Sequence, residues 1–216
     1  MDDRSELERR LDALYVAVRD GAAVDRQAAF DVAMNELEYF PVHAEARELA
    51  EASVADDDET RLASAAAAYL DAYGYEPGFE QAPERFARLE RALDAVRADM
   101  RATGLTGEVR LVRPGWTPRN AVVETWAGDH GWTSGIFPSE AADDLSALVA
   151  VAEQARQAIM ESLRYQSTGS VWPACLAHGT GTSPEPRHGT GIWWCDQGDG
   201  HVAAEIGHWS GGPDRT

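Results

Sequence analysis

Leu7, Leu11, Leu14 and Val18 recur at three- and four-residue steps among charged neighbours, which predicts an amphipathic helix at the start of the chain. Ser5 followed by Glu8 reads as its capping box, and Gly21 as its stop. A second helix is predicted from about Asp25 to Phe40 on the stripe Phe30, Met34 and Leu37, with Pro41 stopping or redirecting it. A third runs from His43 to about Val54. The acidic turn Asp56, Asp57, Asp58 then places carboxylates at the positive end of a fourth, roughly Glu59 to Tyr73. Beyond the Gly- and Pro-punctuated loop 74–83, Phe86, Leu89, Leu93, Val96 and Met100 mark the clearest amphipathic helix, ending at Gly104.

From Glu108 the period changes from helical to alternating. Val109 and Leu111, then Val122 to Trp126, then Trp132 to Phe137 predict three short antiparallel strands, with Gly128 to Gly131 as a tight turn between the last two. Ser139 is read as the cap of a long helix to about Tyr165, which carries Leu145, Leu148, Val149, Ala152, Ile159 and Leu163 and is expected to lie across the sheet. After Gln166 only short apolar runs remain among glycines and histidines, so something other than a hydrophobic core is expected to hold the tail. The predicted fold class is α+β. It comprises a helical region 1–106, a small antiparallel sheet covered by a long helix over 107–166 in the same core, and a zinc-ribbon-like hairpin module over 167–216.

Composition supports this division, because all seven tryptophans and 14 of the 19 glycines follow residue 107. A chain of 216 residues has room for one main domain and a small appendage. The formal charge is −18, from 37 acidic and 19 basic side chains, and every basic one is arginine. Such a surface repels nucleic-acid phosphates and anionic membranes and favours a basic protein partner. No run approaches the roughly 18 to 20 apolar residues of a membrane span, and the charged start MDDRSELERR is unlike a secretory signal. The expected compartment is the cytoplasm, where two cysteines serve as thiols or metal ligands more often than as a disulfide. The alanine-rich, lysine-free composition points to a high-GC genome, actinobacterial first and a salt-adapted archaeon second.

Cys175 and His178 form a C-x2-H pair, and Cys195 and His201 follow it. A two-residue gap lets a tight knuckle present both side chains to one ion, and a hairpin carrying a second knuckle completes a tetrahedral site. These four residues are the predicted zinc ligands. The six-residue step from Cys195 to His201 is looser than usual, which leaves His188 or His208, and more weakly Asp199, as replacements for His201. A prolyl- and glycyl-rich loop from Thr182 to Gly191 and strand-like runs at Ile192–Cys195 and Val202–Ile206 suit a hairpin, and bound metal could supply the stability such a small segment lacks.

The segments WPACLAH and IWWCDQGDGHVAAEIGHW resemble the C-terminal tail of uncharacterised actinobacterial proteins, where a WP-x-C-x2-H element precedes a W-x-C strand and an Ala/Pro-x-Ile-Gly ending. The resemblance implies a module and no activity.

Other motifs read as coincidence. AHGTGT at 177–182 matches in letters the histidine motif of polyketide and fatty-acid ketosynthases, but the nucleophile motif is missing and that fold needs a longer chain. HGTG occurs at His178 and His188 with no G-x-S-x-G elbow to make use of an oxyanion hole. Glu36, His43 and Glu45, broken by Pro41, are expected to be solvated side chains on no common face, and His130 to belong to a turn. Trp116, Trp126 and Trp132 fit core packing better than an aromatic pocket.

No catalytic set assembles from these residues. The expected function is therefore a non-enzymatic acidic interaction protein of immunity, antitoxin or accessory-subunit type, with a structural zinc site and a basic partner. The competing expectation is a zinc hydrolase with water at the fourth position and Glu205 or Glu185 as the base.

Overall fold

The computed structural model describes residues 3–55, 58–114, 119–126, 135–166 and 171–210. Contacts divide the chain into two compact units, Met1–Pro77 and Gly78–Thr216. The division falls well before the composition shift at residue 107, because the helix after the 74–83 loop shares one buried cluster with the residues that follow it.

The first unit holds α1 (Asp3–Asp20), α2 (Arg26–Tyr39), α3 (Ala44–Val54) and α4 (Glu59–Tyr73). Because α1 begins at Asp3, Ser5 lies inside its first turn and is not its cap. Asp25 and Asp58 do cap α2 and α4, their carboxylates accepting from Ala28 N and Arg61 N, and Gly74 closes α4 in the left-handed conformation. The core combines Leu11, Leu14, Val32, Leu49, Leu62 and Tyr69 with the small residues Ala29, Ala33, Ala46 and Ala66. On α2 the buried positions are Ala29, Val32 and Ala33, whereas Met34 of the predicted stripe is 45% exposed and Phe30 and Leu37 pack only partly. Alanine is weakly hydrophobic, so the face along which helices approach most closely leaves little mark in the hydrophobic pattern.

The second unit holds α5 (Pro83–Ala102), β1 (Val109–Val112), β2 (Val122–Thr125), α6 (Asp144–Tyr165), β3 (Ser183–Arg187), β4 (Thr190–Cys195) and β5 (His201–Glu205). Strands β1 and β2 pair antiparallel, and Ile136 adds one bridge to Ala121 where a third strand was expected. The expected turn Gly128–Gly131, with His130, and the residues Trp116 and Trp132 lie outside the described residues. Ser139 sits in a short 3-10 turn, Pro138–Ala141, and the cap of α6 is Asp143, which accepts from Ser146 N at 2.8 Å. Strands β3, β4 and β5 form a separate antiparallel sheet in that order.

The tail is not held apart from the hydrophobic core, contrary to the expectation from its composition. Trp172, Trp193, Ile206 and Trp209 belong to the same buried cluster as Leu89, Leu93 and Val96 of α5 and Val151 and Ile159 of α6. Trp172 and Trp193 meet edge to face, with ring centroids 5.5 Å apart. Few residues are involved, but they are large ones, so a short segment buries much apolar area.

Candidate metal centre

The first knuckle is built by backbone hydrogen bonds around a tight turn. Gly179 N donates to Cys175 O at 2.7 Å and Cys175 N to Thr180 O at 2.8 Å, while Thr182 N donates to Pro173 O at 3.0 Å. Gly179 takes φ +66, which an L side chain rarely adopts, and so turns the chain back directly after His178. The first HGTG copy is therefore this knuckle. The second is the β3–β4 turn, where His188 and Gly189 have φ 51 and 79, the paired positive values of a type I′ hairpin.

The loose spacing of the second pair is resolved by strand register. Cys195 and His201 are direct partners across β4 and β5, so a hairpin brings together what sequence separation holds apart. Gly200 is required there: its φ is +73, and a Cβ would lie 2.4 Å from the Trp194 ring.

Cys175, His178, Cys195 and His201 converge, with one ligand atom from each and all four atoms within 4.8 Å of one another. Cys175 Sγ lies 3.6 Å from His178 Nδ1 and 3.3 Å from His201 Nε2, and Cys195 Sγ lies 3.4 Å from His178 Nδ1. Both cysteines are buried free thiols, while His178 is exposed and His201 half-buried. Burial pushes the Cys195 thiol up, but the Gln197 backbone, the His178 ring, the Thr180 hydroxyl and Cys175 together lower it from 9.0 to about 7. A readily formed thiolate is what a metal ligand requires. The four side chains lie close enough to hold one metal ion.

The alternatives fall elsewhere. His188 sits in the turn beyond Thr190, which is itself five strand steps or about 16 Å from Cys195. His208 follows β5 at its far end, and neither it nor Asp199 joins the group among the described residues. Glu185 and Glu205 both pair with Ile192, three steps and about 10 Å along β4 from Cys195. Neither is placed to act on a molecule at the metal position.

Asp99 on α5 escaped the sequence reading. Fully buried, it accepts hydrogen bonds from Trp193 Nε1 at 2.7 Å, Gly207 N at 2.8 Å and Trp209 N at 2.9 Å. Its signal was a carboxylate three residues after Val96, on the apolar face of an amphipathic helix. Glu36, His43 and Glu45 were expected to be apart; instead the turn at Pro41 folds them together, with His43 Nδ1 3.4 Å from Glu36 Oε1 and Nε2 3.5 Å from Glu45 Oε2. Trp126 packs partly against the core of the second unit.

Among the described residues no helix is long and apolar enough to cross a membrane. Comparison of the chain with protein-family models, curated proteins and solved structures finds no match.

Proposed function

We propose that this chain is a non-enzymatic, acidic interaction protein of immunity, antitoxin or accessory-subunit type, in which a structural zinc ion ties the two knuckles of the C-terminal sheet and a basic protein is the partner. The observation that carries the reading is the closed donor set: two sulfurs and two ring nitrogens within 4.8 Å of one another. With Zn–S near 2.3 Å and Zn–N near 2.0 to 2.1 Å, a tetrahedron has sulfur–nitrogen edges of about 3.5 Å. The three such separations of 3.3 to 3.6 Å match that edge. A mixed S2N2 tetrahedron favours zinc over harder ions such as magnesium or calcium. Four protein donors leave no position for a reacting water, and Glu185 and Glu205 stand about 10 Å along the sheet from Cys195.

X-ray absorption of the zinc-loaded protein tests the site, with two sulfur and two nitrogen scatterers expected. Three protein ligands and a bound oxygen would replace this reading with the hydrolytic one. The −18 charge supports the partner class, since complementary charge speeds encounter and selects partners. Capture from the native host is expected to yield a basic protein at low salt that is released at high salt; retention indifferent to salt counts against it.

A further inference from the structure

The turn between α2 and α3 opens a groove of about 630 Å³ lined by Glu36, Phe40, Val42, His43, Glu45 and Tyr73. Its apolar side chains face water, with Phe40 60%, Val42 88% and Tyr73 41% exposed. Beneath them Tyr69 lies against His43 at 6.1 Å and stacks on Tyr73 at 5.6 Å between ring centroids. Aromatic faces left open in so polar a surface gain free energy when a flat or cationic group covers them.

The carboxylates around the groove are among those of this unit that no arginine neutralises. Elsewhere in it Glu6 pairs with Arg9 and Arg10, Asp31 with Arg10, Glu59 with Arg26, and Glu48 and Glu51 with Arg61. Among the described residues no arginine pairs with Glu36 or Glu45; the His43 ring lies within 3.4 to 3.5 Å of both, and its buried Nδ1 has no hydrogen-bond partner. Arg47, the arginine nearest in sequence, donates to Pro41 O at 2.9 Å. Met1–Pro77 holds 19 of the 37 acidic side chains against 7 of the 19 arginines, a net −12 of the total −18.

We propose that this groove takes an arginine side chain of a basic protein partner. A guanidinium is planar, so it can stack on the aromatic faces of the groove while its fork of five donors serves the carboxylates, a combination that a compact lysine ammonium, with no flat face to stack, does not offer. The proposal rests on the reading of the chain as an acidic docking protein, and names where one contact is made.

The test titrates the full chain with N-acetyl-arginine amide and, in parallel, with its neutral isostere N-acetyl-citrulline amide, following the backbone resonances of Phe40 to Glu45 and Tyr73. Saturable shifts with the arginine compound, in the millimolar range expected of one side chain, and none with the citrulline compound are the expected result. Phe40→Ala, at an exposed position, and the isosteric pair Glu36→Gln with Glu45→Gln are each expected to weaken binding about tenfold. Equal shifts with both compounds, or no saturable shift with wild-type protein, overturn the proposal. Its failure is separable from that of the docking reading: a basic partner captured equally by wild type and Phe40→Ala removes the groove alone, whereas arginine amide binding without any salt-sensitive partner removes the docking reading alone.

Discussion

Asp99 joins α5 to the C-terminal segment through three hydrogen bonds. A buried carboxylate can be stable only where donors replace its lost hydration, and three donors from the tail do so here at 2.7 to 2.9 Å. Truncation would leave the Trp193 indole and the amides of Gly207 and Trp209 buried and unpaired. At about 1 to 3 kcal/mol for each orphaned group, the Asp99→Ala variant is expected to lose roughly 3 kcal/mol or more. Asp94→Ala, five residues earlier on the same helix at an exposed position paired with Arg97, is expected to change stability by less than about 1 kcal/mol. Urea unfolding followed by tryptophan emission measures both, and similar midpoints for the two variants would show that the tail is anchored by something else.

At the scale of elements, the β3–β4–β5 sheet is tied to the core by Trp193, Ile206 and Asp99, while the four side chains that could hold a metal ion converge at its Cys195 and His201 end. If the proposed zinc is bound there, chelating it is expected to loosen the two knuckles and leave the sheet docked. Amide exchange should accelerate in 175–182 and 195–201 and stay slow at Ile192 and Trp193; loss of protection along all of β4 would contradict it. This division explains what could and could not be read from the sequence. The long helices, the end of the fifth helix at Gly104 and the convergence of Cys175, His178, Cys195 and His201 were legible because periodicity, glycine chemistry and knuckle spacing are local. The anchoring of the tail was not, since it depends on Asp99 lying far from Trp193 in sequence and beside it in space. The α2 face was misread because alanines built it, and the groove because Pro41 was taken to separate Glu36 from Glu45 when it turns one toward the other.

For the molecule as a whole, 37 acidic side chains against 19 arginines mean that pairing cannot neutralise the surface. Exposed pairs contribute about 0.2 to 1 kcal/mol each and weaken with salt, but the unpaired excess repels itself over longer distances, where screening is most effective. At about 10 Å in water two like charges repel by roughly 0.4 kcal/mol, and many such pairs exist when the excess is 18. Raising sodium chloride from about 20 to about 500 mM is therefore expected to raise the unfolding temperature by several degrees. The effect should be larger in Met1–Pro77, with its net −12, than in the second unit. Tryptophan emission reports only the second unit, since all seven tryptophans follow residue 107, whereas helix circular dichroism also includes the first. The salt-induced shift should thus be greater by dichroism than by fluorescence. Glu38→Gln, at an exposed position with no arginine partner among the described residues, should reproduce a small part of the gain at low salt and none at high salt. A melting temperature that falls with salt would mean that the local ion pairs outweigh the repulsion of the excess charge.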